Sequence, residues 1–97
     1  MYVVKREFSS FDWDENKRQI NVEKHGIDFL VAARALSGTH VERRSDQNGE
    51  CRILAICPET DRLIAVVYTM RDEICRIISA RAARKNEREK YRQLLAG

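Results

Sequence analysis

A change of hydrophobic period near residue 38 constrains this chain more than any other feature. Before it, apolar residues recur at helical spacing; from His40 to Ala80 they alternate. A helical pattern laid into a sheet would turn half its apolar side chains to water, so the segment from Glu15 to Leu36 reads as helices and the one from His40 to Ala80 as strands. Asp12 or Asp14 can cap a helix from Glu15 to Lys24, with Gly26 ending it in the left-handed conformation. Trp13 and Ile20 fall on one side and Val22 nearly opposite, so this helix should pack shallowly. Asp28 caps a second helix from Phe29 to Leu36, with an apolar stripe of Phe29, Leu30, Ala32, Ala33 and Leu36 and a stop at Gly38.

Strands are predicted at Tyr2 to Val4, His40 to Arg44, Cys51 to Cys57, Leu63 to Tyr68 and Ile74 to Ala80. Turns fall at Asp46 to Gly49, Pro58 to Asp61 and Arg71 to Glu73. Cys51, Ile53, Ala55 and Cys57 share a face, and Leu63 to Tyr68 is apolar on both parities, as a central strand should be. Ala82 to Leu95 reads as a last helix with Tyr91, Leu94 and Leu95 at contact spacing. At 97 residues, with no repeat or linker, the expectation is a single domain over 1–97. Its class is α+β: two N-terminal helices packed on an antiparallel β-sheet, with a basic C-terminal helix.

A chain this short holds one modest core and has no room for a large-cofactor domain. No apolar run approaches the roughly 18 residues of a membrane span, and the opening MYVVKREFSS lacks a signal-peptide core, so a cytoplasmic protein is expected. Three cysteines with no C-x-x-C pair read as small core residues. His25 and His40 stand far apart with no ligand at metal spacing, and no phosphate-binding glycine loop is present, so neither metal nor cofactor is expected.

Charge is distributed unevenly. Met1 to Cys75 carries 11 basic and 13 acidic residues, net −2, whereas Arg76 to Gly97 carries 7 and 2, net +5. Arg76, Arg81, Arg84, Lys85, Arg88, Lys90 and Arg92 make that tail attractive to a polyanion or an acidic partner. Metal-free RNA cleavage suits such side chains: a neighbouring 2′-hydroxyl attacks the phosphate once a base activates it and cations stabilise the developing charge. Arg52, Arg76 and Arg81 are candidates for the second task. In an unbroken strand Arg76 and Arg81 point to opposite faces, and Arg81, at the strand-to-helix junction, is preferred; Arg76 equally suits a rim salt bridge. Lys24 and His25 offer a cation and a group titrating near neutrality at a helix end, where they also suit a C-terminal cap. Tyr91 can stack on a base, although its spacing to Leu94 and Leu95 also suits a core. A basic nucleic-acid-binding or protein-interaction module without catalysis is the competing reading.

The run Phe11-Asp12-Trp13-Asp14-Glu15-Asn16-Lys17, then Asn21, Lys24-His25-Gly26-Ile27-Asp28-Phe29 and Ala32-Ala33, resembles the opening of BrnT toxins. Glu50-x-Arg52, Val66-Val67-Tyr68-Thr69, Arg76-Ile77-Ile78-Ser79-Ala80-Arg81 and Glu87…Tyr91 match later signatures of that family in the same order. The resemblance implies a RelE-like fold and a metal-independent ribonuclease toxin of a type II toxin-antitoxin pair that stops translation. It implies as partner a BrnA-type ribbon-helix-helix antitoxin, with the complex binding operator DNA. By the same match Lys24, Arg52 and Arg81 would stabilise charge, His25 would act as acid or base, and Tyr91 would contact substrate; Arg76, Arg84 and Arg88 of the basic tail are further candidates for substrate contact. Arg81→Ala is then expected to spare folding while sharply reducing cleavage. Where relatives often start the last helix with Ser or Thr this chain has Arg84, so Asn86 or the Ser79 region is expected to cap it. The extension through Ser10 has no assigned role.

Overall fold

The computed structural model describes residues 1–96. Six strands form one sheet: β1 (Tyr2–Val4), β2 (Ser10–Asp12), β3 (His40–Arg44), β4 (Ile53–Glu59), β5 (Arg62–Arg71) and β6 (Ile74–Ala82), in the order β1-β3-β4-β5-β6-β2. The helices are α1 (Glu15–His25), α2 (Phe29–Leu36) and α3 (Lys85–Tyr91), the last running into a π-type turn at Arg92–Ala96. The expected antiparallel sheet is therefore mixed. Phe11 and Asp12 do not simply lead into α1 but belong to β2, which pairs with β6 in parallel, Phe11 opposite Cys75.

Several boundaries also move. Cys51 is exposed in a loop before β4, so only Cys57 and Cys75 are core cysteines, with thiol pKa values pushed up by burial, that of Cys75 to about 12. Pro58 and Glu59 extend β4; Pro58 lies past the end of the β3 pairing, where its missing amide hydrogen removes no rung from that ladder. Asp14 caps α1 by accepting from the Lys17 amide at 3.1 Å, and Gly26 ends it at φ 70°. Gly38 is no left-handed cap: α2 closes at Ser37. Ala82 belongs to β6, so the last helix starts later, and neither Asn86 nor Ser79 caps it. Instead the Glu87 carboxylate reaches back to accept from the Arg84 amide at 2.8 Å. Leu94 and Leu95 are largely exposed, leaving Tyr91 as the packed member of that trio.

Strand alternation sorts the core onto two faces. Ala55, Cys57, Ile64, Val66, Tyr68, Cys75, Ile77 and Ala80 pack under α2 with Phe29, Ala32 and Leu36. Val41, Leu54, Ile56 and Ala65 pack on the other face with Ala83 and Tyr91. Residues 1–12 form a strap. β1 lines the β3 edge, Arg6 pairs with Glu42 on β3, Phe8 stacks on Tyr68 of β5 at 5.7 Å, and β2 lines the opposite edge. Six Cα steps from Val4 to Ser10 reach about 21 Å, whereas five flat strand spacings need about 24 Å. The strap can therefore reach from edge to edge only because the sheet is curled.

Under the strap lies a buried polar network. Glu42, fully buried, accepts from Arg6 Nε at 2.6 Å and Tyr68 Oη at 2.7 Å and meets His40 Nε2 at 3.0 Å. Burial pushes its pKa up, but the hydrogen bonds from His40, Arg6 and Tyr68 outweigh burial and hold it at about 2. A depressed carboxyl contributes stability above its ordinary value of 4.5, and loses it as pH falls toward 2. This contribution is about 3 kcal/mol. Urea titrations at pH 6 and pH 3 should show about 2 kcal/mol of it lost in the wild type and a smaller loss in Glu42→Gln; equal losses would remove Glu42 as the cause.

A cationic groove where helix 1 meets the last strand

The β5–β6 ladder slips by one residue. Tyr68 pairs with Ile77 and Val67 with Ser79, leaving Ile78 as the extra residue of a β-bulge. The bulge restores parity between the two strand arginines: Arg76 pairs with Thr69 and Arg81 with Ala65, four residues apart on β5 and so on one face. Arg76 and Arg81 thus share the α3 face of the sheet with Ser79, which pairs with Val67, contrary to the opposite faces expected of an unbroken strand.

Helix α1 reaches this strand from its outer edge. Lys17, Ile20, Asn21, Lys24 and His25 line one wall of a shallow groove of about 190 Å³, and Ile78 and Ser79 line the other. Lys24 and His25 are exposed at the last turn of α1, and among the described residues neither enters an ion pair. Arg18 fastens α1 to the α2 cap, with its Nε and Nη2 on Asp28 at 3.0 and 2.9 Å, and this pairing lowers the Asp28 pKa.

The three candidate arginines all have carboxylate partners. Arg76 pairs with Asp12 across the β2–β6 edge. Arg52 donates to Glu50 at 2.8 Å and to Gln47 at 2.7 Å. Its loop is tied to the sheet by Thr69 Oγ1, which donates to the Cys51 carbonyl at 2.7 Å, so Arg52 lies at the Arg76 end of β6. Arg81 holds Glu87 with both terminal nitrogens, at 2.8 and 3.0 Å. Burial works against the Glu87 carboxylate, but Arg81 and the Arg84 amide outweigh it and keep its pKa low.

These pairs differ in how readily an anion can open them. The Asp12 side chain is 51% exposed, and such a surface pair is worth only about 0–1 kcal/mol. Glu87 is 6% exposed, so removing its partner leaves a buried charge. Arg81→Ala is therefore expected to cost stability, where the sequence reading expected it to spare folding, because this arginine pairs with the buried Glu87 in the first turn of α3.

The remaining candidates lie apart. Arg84 is exposed at the start of α3, and Arg88 donates to the Ala83 carbonyl at 2.7 Å. Arg88 and Tyr91 line a second groove of about 540 Å³ with Pro58, Arg62, Leu63 and Arg92. The candidates thus form two groups joined by Ala82 and Ala83, with Arg81 between them in sequence. Sequence reasoning left Lys17, Asn21 and the Glu87 pairing without roles and gave Ser79 only that of a helix cap. The signal for the first two was there: residues 17, 21, 24 and 25 fall on one helical face, a polar stripe visible to the same spacing test used for apolar residues.

None of the curated proteins compared with the chain matches it. A model of the family described as ribonuclease toxin, BrnT, of type II toxin-antitoxin system matches residues 13–87. The chain is also similar to the 1.1 Å crystal structure of the Brucella abortus ribonuclease toxin BrnT, with 31% identity and a TM-score of 0.59 over 78% of this chain and 97% of that one. Residues 1–12 lie outside the family match. With most of the sequence matched in order and the α+β architecture shared, the chain belongs to the BrnT family of ribonuclease toxins of type II toxin-antitoxin systems.

Proposed function

We propose that this chain is a metal-independent endoribonuclease on a RelE-like scaffold that stops translation by cutting RNA. The observation that supports it best is the convergence at β6: the bulge puts Arg76 and Arg81 on one face with Ser79, and α1 brings Lys24 and His25 to the same strand. Such a site supplies the needed chemistry. His25 exchanges a proton with the attacking 2′-hydroxyl or the leaving oxygen, and Lys24 stabilises the charge that develops on the phosphate. Arg76 is the arginine best placed to take a phosphate, because its exposed partner Asp12 is readily displaced; Arg52 at the same end extends the cationic track. Arg81 acts by holding Glu87 and α3. Arg88 and Tyr91 contact the flanking RNA in the second groove, and Arg84 contacts it from the exposed start of α3.

A type II toxin implies an antitoxin, for which we propose a BrnA-type ribbon-helix-helix protein that covers the cationic face and carries the complex to operator DNA. Among the described residues no helix is long and apolar enough to cross a membrane; action on RNA in the cytoplasm is part of this proposal.

Incubation with a defined single-stranded RNA in excess EDTA tests the reading. Discrete products are expected from the wild type, with cleavage reduced about 100-fold or more in Lys24→Ala. Arg76→Ala should weaken RNA binding and flatten its salt dependence by about one phosphate contact. Cleavage that vanishes in EDTA and returns with added Mg²⁺ would remove metal independence. RNA bound but left intact would favour a non-catalytic binding module.

A further inference from the structure

Helix α1 is anchored in an unusual way. Its apolar residues Ile20 and Val22 are 56% and 41% exposed, and its single buried residue is the amide Asn21. β2 accompanies β6 only along Ile74–Arg76 and stops. Further along that edge the Asn21 carboxamide takes the place of the missing strand: Oδ1 accepts from the Ala80 amide at 3.1 Å, and Nδ2 donates to the Ala80 carbonyl at 2.9 Å. Nδ2 also donates to the Ile27 carbonyl at 2.8 Å, tying in the segment after the helix. Three directional bonds at one buried side chain fix both the distance and the rotation of α1 against β6, as a greasy contact would not. Lys24 and His25 follow Asn21 at i+3 and i+4, so they share its helical face, and all three line the groove against Ser79.

We propose that Asn21 is the positioning residue of this site, a carboxamide strut that sets Lys24 and His25 against the Ser79 to Arg81 end of β6. The proposal rests on the ribonuclease reading above for its effect on rate; the placement itself does not. Asn21 touches no substrate. Its loss should let the last turn of α1 drift, and a displacement of about 1 Å at reacting groups costs about 100-fold in rate.

Asn21→Asp tests this, because it preserves size and the acceptor for the Ala80 amide while turning a carboxylate oxygen toward two carbonyls. With a defined single-stranded RNA, Asn21→Asp and Asn21→Ala should lower kcat about 100-fold and leave KM within about three-fold. In a Lys24→Ala/His25→Ala background either change should cost little more, since a strut with nothing left to position has no further effect on rate. Wild-type kcat in a folded Asn21→Asp protein overturns the proposal, and so do losses that multiply in the combined variant. If Asn21→Ala fails to fold, Asn21→Asp carries the comparison. If the wild type cleaves no RNA, the ribonuclease reading fails while the placement is still decided by NMR. Shifted side-chain resonances of Lys24 and His25 in Asn21→Asp sustain it, and unchanged ones overturn it.

Discussion

Removing Met1 to Ser9 should cost the protein about 5 kcal/mol, a third or more of what a domain of this kind ordinarily has. The reason is electrostatic before it is hydrophobic. Glu42 is buried with three partners, and Arg6, which donates from Nε at 2.6 Å, is the arginine among them. Leaving a buried carboxylate without its cation costs about 3–5 kcal/mol, and losing the packing of Phe8 on Tyr68 and Phe11 adds about 1–2 kcal/mol. The two parts separate experimentally. Arg6→Met should carry most of the loss and Phe8→Ala the remainder, both read as shifts in urea midpoint at pH 7. The family match begins only at residue 13, so the strap lies outside it. A truncated protein with the wild-type midpoint would mean that the strap does not belong to the cooperative unit.

The second large effect concerns Arg81. Arg81→Ala should reduce RNA cleavage by about 100-fold or more and lower stability by about 3 kcal/mol, because Glu87 stays buried without the guanidinium that grips both its oxygens. Activity and stability are then entangled, and the double variant Arg81→Ala/Glu87→Gln separates them. The substituted carboxamide is neutral, and its oxygen can still accept from the Arg84 amide, so most of the lost stability should return. If Arg81 served cleavage only by fixing α3, activity should return with it. A stable double variant that stays inactive would place Arg81 in contact with the reacting phosphate, contrary to the positioning role.

The same pairing shows why the fold could be read further from the sequence than the site. Asp14, Gly26 and Asp28 mark the helix ends because each acts on its immediate neighbours, and the apolar runs Ile53 to Cys57 and Leu63 to Tyr68 mark strands without knowledge of their partners. β2 offered no such signal: three residues have no period, and their partner lies 64 positions away. The bulge was equally hidden. Ile77 and Ile78 are both apolar, so nothing in the pattern says which of them drops out of register, yet that one residue decides whether Arg76 and Arg81 act together. Lys24 and His25 were found because exposed charge at a helix end is conspicuous. Asn21 was passed over because a lone polar residue in a helix normally faces water, and its burial depends on an Ala80 backbone 59 positions distant.

That long reach sets the order in which the molecule can be completed. Most small domains rich in contacts between distant segments fold slowly, since a large loop must close before its contacts reward it. Here early segments wait for much later ones: β1 pairs with His40 to Glu42, and β2 with Ile74 to Arg76. Translation proceeds at about 5–20 residues per second, so Phe8 and Phe11 spend several seconds without the surface that will cover them. The site is subject to the same delay. Its groove has one wall on α1 and the other on β6, and so it cannot exist until β6 has been made.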